Sequence, residues 1–433
     1  MTETPVVTVF LRNGGDVLLL RRSDAVGSYP GKWGGVAGHV ADDEGRDRSP
    51  EAAARAEIAE ETELDSGDVT LVRAGDPFPV DDPERDDRWL VHPFLFECGS
   101  RAVEPNEETT EYEWVPPTAI LRRKTVPALW TSYDRVRPRV ATVREDSEHG
   151  SAWLSIRALE VLRDEAALAA TARSPGKHER REANGDDWNG VAELARRLRD
   201  ARPSMAVVAN RVNRAMAAAS EGETRSPAAV EAAASEGIDR ALSGDDAAAA
   251  NAAERLPDRV ATLSRSGTVL AAIREAEPDA VLVAESRPGR EGVVVAEALA
   301  ADCEVTLTTD AAFPFELDAW DADALVVGAD RVLPDGRVVN KVGTRAAALA
   351  APDDCPCYVV AASDKVATDE TVDLEERDAT EVYDGDATVR VANPTFDVTP
   401  AGAVDAVITE DRVLDAEDVA RVVEEHQVRA DWD

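Results

Sequence analysis

Beyond residue 258 the chain alternates short apolar runs with helical patterns: VATLS, SGTVLAAIREA, AVLVAES, GREGVVVAEALAA, EVTLTT, ALVVGAD, CYVVAAS and DAVITE. Runs this short and this apolar suit strands buried on both faces, with the intervening helices covering those faces. The alternation predicts a doubly wound parallel sheet, whose ligands bind beyond the carboxyl ends of its strands. Residues 324–351, ALVVGADRVLPDGRVVNKVGTRAAALAA, show what such an end offers. Ala324 to Val327 is the strand, Gly328 ends it, and Asp330 falls just past its end. Pro334-Asp335-Gly336 makes a turn, Val338-Val339 is extended, and Gly343-Thr344 opens an alanine-rich helix. Asn340 and Lys341 stand just before that helix start, where free N–H groups and the helix dipole favour an anion. A carboxylate facing a lysine and such a helix end suits a phosphorylated sugar or nucleotide. The plainer alternative is a buried Asp-Lys pair that pins a loop.

Upstream the patterns change. Residues 188–257 read as alanine-rich helices, a helical subdomain preceding the sheet at 258–433. Residues 172–187, ARSPGKHERREANGDD, are polar and turn-rich and read as a linker. Before them Trp153, Ile156, Leu159 and Leu162 recur at helical spacing, so 145–187 is a packing helix followed by that linker. A separate domain occupies 1–144. At 433 residues, more than one core is the expectation.

The first domain opens with PVVTVFLRNGGDVLLLRR, two strands joined at Asn13-Gly14-Gly15. A glycine-rich segment then leads to a helix with Ser49 as N-cap and Pro50 at the first helical position. Glu57, Glu60 and Glu61 are spaced i, i+3, i+4 along that helix. Three carboxylates on one face repel one another unless a cation sits among them, and all-oxygen ligation suits Mg²⁺ or Mn²⁺. The plainer alternative is a glutamate-rich solvated helix in an acidic chain.

That chain is very acidic: 48 Lys and Arg against 86 Asp and Glu give a net charge of -38, with only five lysines. Nucleic acid and anionic membranes are therefore excluded as direct partners. The composition resembles the cytoplasmic proteins of extreme halophiles, in which molar salt screens such repulsion to about 3 Å. Cys98, Cys303, Cys355 and Cys357 give no disulfide framework, and Cys355-Pro356-Cys357 lacks the partners of a zinc site. No apolar run approaches a membrane span and the N-terminus has no signal-peptide pattern, so the expectation is a cytoplasmic protein.

The helix and its glycine-rich approach resemble the Nudix box. Gly38 and Glu44 match its opening, and Glu57, Ile58, Glu60, Glu61 and Leu64 match its core. The resemblance implies an α+β Nudix fold that binds Mg²⁺ through Glu57, Glu60 and Glu61. It also implies cleavage of a nucleoside diphosphate derivative, with a further carboxylate from Glu107, Glu108 or Glu111. Four extra residues precede the helix, Ala56 takes the place of an arginine that orients the catalytic glutamate, and Glu63 takes the place of a glycine. Arg55 lies one position earlier, about 100° around the helix.

In the second half, Arg202-Pro203, Ser264 to Thr268, Glu285-Ser286-Arg287-Pro288 with Gly292, Gly328 to Arg331, Asn340-Lys341 and Asn393 to Pro400 occur in order. Together they resemble the family joining the alpha, beta and delta subunits of translation initiation factor 2B with two isomerases. Those enzymes act on methylthioribose 1-phosphate and ribose 1,5-bisphosphate. The resemblance implies an α/β domain with a helical subdomain and a Rossmann-like sheet. Arg202, Ser264, Arg287, Gly292, Asn340 and Lys341 would form the ligand site for a sugar phosphate or nucleotide, with Asp330 as general acid/base. It also implies a homo-oligomer, with an initiation-factor-like partner as an option. Ser264 stands where the isomerases carry a cysteine and Glu291 where they carry a glutamine. A serine hydroxyl is far less acidic than a thiol, so these changes weigh against isomerase chemistry more than against binding. Three functions follow as expectations. The first is a Nudix hydrolase fused to a sugar-phosphate or nucleotide-binding domain. The others are a non-catalytic regulatory subunit and an aldose-ketose isomerase.

Overall fold

A computed structural model describes residues 3–41, 48–65, 67–82, 87–171, 186–222 and 225–432. The chain divides into two compact units: Met1–Arg139 with Arg163–Ala183, and Val140–Leu162 with Asn184–Asp433. The helix Ser151–Thr171 therefore contributes its first part to one unit and its last part to the other.

In the first unit Thr4–Asn13 and Asp16–Arg22 form the hairpin, with Asn13 opposite Asp16 and Gly14 at φ 62°. That left-handed backbone is what a two-residue turn between twisted strands requires. Thr4–Asn13 also runs parallel to Asp87–Cys98 and antiparallel to Val36–His39. The helix Pro50–Thr62 starts where Ser49 accepts the Ala52 N–H and ends at Glu63, which takes the left-handed conformation at φ 57°. The position that a glycine would fill is thus a strained glutamate. Ala53, Ala54 and Ile58 on this helix pack with Val7, Val9, Leu11, Val36, Phe94 and Phe96. Burial of that face leaves the neighbouring glutamates at the edge of the core.

In the second unit the helices Asp186–Arg199, Ala206–Ser220 and Pro227–Ala253 precede a sheet. Its strand order is Glu304–Thr308, Ala280–Ala284, Arg259–Leu263, Ala324–Val327, Cys357–Val360, Ala406–Ile408 and Val413–Leu414. The pairings are parallel except the last. The order in which successive strands are added reverses between Arg259–Leu263 and Ala324–Val327, which opens a crevice at their carboxyl ends. The extended segment read at Val338-Val339 runs on to Lys341 and pairs antiparallel with Phe396–Thr399, placing Asn340 opposite Asp397 and Lys341 opposite Phe396. Among the described residues, no helix is long and apolar enough to cross a membrane.

Candidate functional site

A cavity of about 980 Å³ opens at the carboxyl ends of the second unit's strands. Asp330, Asn340, Lys341, Arg202 and Ser264 line it, as the sequence places them. Arg287 and Gly292 do not. The Arg287 side chain is 62% exposed and pairs with Glu285 at 3.2 Å, while its backbone N–H donates to Asp310 at 2.6 Å. Gly292 is a packing residue, because a Cβ there would meet the carbonyl oxygen of Ala284 at 1.8 Å.

The groups expected to receive an anion are already matched by carboxylates. Arg202 gives the Nε/Nη2 edge of its guanidinium to Glu375, with Nη2 at 2.8 Å and 3.0 Å and Nε at 3.2 Å, while Nη1 donates to the Asp146 carbonyl at 2.6 Å, and the Ser204 hydroxyl donates to the same Glu375 carboxylate. Lys341 donates to Glu291, the residue that stands where the isomerases carry a glutamine. The helix expected to open at Gly343-Thr344 is the short Thr344–Ala350. Asp397 accepts the N–H groups of Gly343 at 2.8 Å and Arg345 at 3.1 Å. Burial pushes Asp397 above the usual carboxylate range, although those two donors oppose it. Asn340 donates to Thr344 at 2.9 Å, which fixes the turn into the helix.

The sequence reading missed Lys365, His149 and Glu375. Lys365 follows the strand Cys357–Val360 by the same strand-end logic that identified Asp330, and both line the cavity. It is 4% exposed. Burial lowers its pKa from the ordinary lysine value, and Asp330 is the strongest charge opposing that shift. His149 stacks on Trp153 at 3.8 Å and holds Asp146 at 2.8 Å through Nδ1. No cysteine lines the cavity, and the four cysteines are free.

In the first unit Glu61 is buried, Glu57 partly buried and Glu60 exposed. Glu61 accepts the Ala37 N–H at 3.2 Å. Burial pushes its pKa up to about 8; the Ala37 bond opposes the shift, and Glu57 and Glu108 add to it. Gly38 lies against Glu57 so closely that a Cβ would come within 2.0 Å of the carboxyl carbon. Arg48 reaches Glu57 at 3.8 Å and donates to the carbonyls of His39 and Val40 at 3.3 Å. Arg55 points elsewhere, to Glu51 at 3.1 Å and over the Phe96 ring at 5.0 Å. Glu111 pairs with Arg21, and Glu44 lies outside the described residues. Among the described residues, no three of His, Cys, Asp or Glu stand together as a preformed metal site. The donor chemistry nevertheless fits a hard divalent cation, since Glu57 and Glu61 are neighbouring carboxylates and Glu57 raises the pKa of buried Glu61.

Residues 147–415 match the model of the Initiation factor 2 subunit family. The chain belongs to that family. Residues 2–139 match the NUDIX domain model, so this family member carries a NUDIX domain at its N-terminus. The chain is 38% identical over 164 residues to ribose 1,5-bisphosphate isomerase of Archaeoglobus fulgidus, covering 35% of this chain and 52% of that one. It is 39% identical over 161 residues to methylthioribose-1-phosphate isomerase of Chloroflexus aurantiacus, covering 33% and 46%. It thus spans about half the length of the curated relatives it matches. The crystal structure of translation initiation factor eIF-2B from Pyrococcus horikoshii OT3 superposes with a TM-score of 0.53 at 28% identity, covering 64% of this chain and 94% of that one.

Proposed function

We propose that the first unit is a divalent-metal-dependent hydrolase of a nucleoside diphosphate derivative, and that the second binds a sugar phosphate or nucleotide without isomerising it. The observation that carries the hydrolase reading is the placement of the two acids: Glu61 is buried and accepts the Ala37 N–H, and the neighbouring Glu57 is packed against Gly38 of the same glycine-rich segment. Glu57 and Glu61 would hold Mg²⁺ or Mn²⁺, with Glu60 at the exposed edge. The bound ion would supply Lewis acidity toward the diphosphate and acidify water. Arg48 fastens Glu57 to the backbone of His39 and Val40, the task that an arginine at Ala56 would otherwise perform.

For the second unit, we take the seven-stranded sheet as Rossmann-like, with Asp330, Asn340, Lys341, Arg202 and Ser264 as its ligand-facing set. Ser264 in place of a thiol, in a cavity without cysteine, favours binding over proton shuttling between carbons. A cytoplasmic homo-oligomer is the accompanying expectation, which sedimentation can check.

The test incubates the purified chain in molar KCl with Mg²⁺ and a panel of nucleotide sugars, ADP-ribose, dinucleotides and ribose 1,5-bisphosphate, followed by phosphorus NMR. Diphosphate cleavage lost at least about 100-fold in Glu57→Gln supports the hydrolase reading. Unchanged cleavage in that variant sinks it, and ketose formation that is lost in Asp330→Asn would restore the isomerase.

A further inference from the structure

A smaller cavity of about 40 Å³ also lies within the second unit, and it shares no lining residue with the large one. Two packed helices each give it one face. Arg211, Arg214, Ala215 and Ala218 of Ala206–Ser220 are spaced i, i+3, i+4, i+7. Ala233, Glu236, Gly237 and Arg240 of Pro227–Ala253 repeat that spacing on the facing side. The alanines and the glycine are too small to close the gap, so the arginines border an open space. Asp364 completes the lining.

The carboxylates around this space do not match its cations. Buried Arg211 is held by Asp245 at 3.0 Å and by Asp364 at 3.2 Å, and it donates to the Ser155 hydroxyl at 2.9 Å. Arg214 shares that same Asp364, and its Nε is buried without a hydrogen-bond partner among the described residues. Arg240 reaches Glu236 at 3.0 Å, but both side chains are more than half exposed, so that pair holds its charge weakly. Burial lowers the Arg214 pKa below the ordinary arginine value; Asp364 opposes the shift, and Arg429, Arg240 and Arg211 add to it. An unmet buried donor among like charges lowers stability unless something negative fills the space beside it.

We propose that this cavity is a halide site that holds one chloride ion, received by Arg214 and Arg240. The space exceeds the roughly 10–15 Å³ that one water needs, and a sugar phosphate is far too large for it. Three lining arginines against Glu236 and Asp364 leave one unit of positive charge, which suits a monovalent anion over sulfate or phosphate. Because Arg214 and Arg240 come from different helices, the ion ties Ala206–Ser220 to Pro227–Ala253. Its role is structural, and it stands whether or not the large cavity binds a sugar phosphate.

The test is thermal unfolding of the full-length chain in potassium glutamate, with chloride, bromide or sulfate exchanged in at constant potassium concentration. Tm should rise and level off as chloride replaces glutamate, bromide should act alike, and sulfate should not. Ala233→Leu fills the cavity without touching a charge, so it should remove the rise and leave the chloride-free Tm close to wild type. Arg214→Lys keeps the charge but loses the Nε donor, and should weaken the apparent chloride affinity at least tenfold. Crystals grown in potassium bromide should show an anomalous peak beside Arg214 Nε. A Tm that ignores chloride overturns the proposal, as does a rise that survives unchanged in Ala233→Leu or a bromide peak confined to other places. Should Arg214→Lys not fold, Ala233→Leu and the bromide peak decide.

Discussion

The two units solve opposite charge problems. In the first, Glu61 is buried beside Glu57 with Glu108 nearby, and burial holds its proton although Arg22 opposes the shift and Arg48 reaches Glu57. In the second, Arg202, Lys341 and the helix start at Gly343 each hold an internal carboxylate. A site that lacks charge invites its ligand by deficit; one whose charges are matched must either exchange a partner or use a group left over. Motif residues alone do not separate these cases, because the matching carboxylates come from 173, 50 and 54 residues away.

The largest test of this contrast uses pH. Glu61 has a folded-state pKa of about 8, above its ordinary 4.5, so its protonated form stabilises the apo fold. That contribution is complete below pH 4.5 and is lost as pH rises through about 8. A cation replaces the proton, so Mg²⁺ affinity should climb by about tenfold per pH unit across that window and then level off. Calorimetry in buffers of different ionisation enthalpy should show one proton released per ion at neutral pH. Glu61→Gln should remove both the slope and the proton, and a slope that survives would mean another group titrates.

The next test frees a matched cation. Glu375→Gln should raise phosphomonoester affinity by about tenfold, because Arg202 then has a guanidinium fork to offer. It should also cost about 2 kcal/mol of stability, less than a fully buried pair because the Glu375 side chain is a quarter exposed. Adding phosphate should recover much of that loss in a thermal melt. If affinity does not move, Glu375 is not competing for the ligand's place.

The smallest test compares two arginines in the first unit. Arg55→Ala should leave hydrolysis unchanged and shift stability by about 0.5 kcal/mol, the worth of an exposed helix pair. Arg48→Ala should lower kcat with little change in KM, since it positions Glu57. Equal effects would erase the distinction.

Much of the framework was legible in the sequence. The hairpin at Asn13, the helix start at Ser49-Pro50 and the alternation beyond Val260 are local signals with local causes, and the elements form where those signals stand. The strand-end rule placed Asp330, Asn340 and Lys341 in one cavity. Lys365 obeys the same rule but lies in Ser363-Asp364-Lys365, which carries no glycine or proline to mark it. The carboxylates that close Arg202 and Lys341 were not legible for a different reason. Glu375 comes from an irregular, largely exposed stretch and reaches its partner only through tertiary structure. Arg287 faces solvent because Asp310 ties down its backbone and Glu285 pairs with its side chain outside the cavity.

The tight approach of Gly38 to Glu57 offers a clean experimental handle. Alanine there would force the glutamate to swing away, since no room exists for one methyl group. A single hydrogen on one alpha carbon thus works as the clearance that keeps the acid in register. Filling it should silence the first unit while leaving every group around Lys365 in its original chemistry.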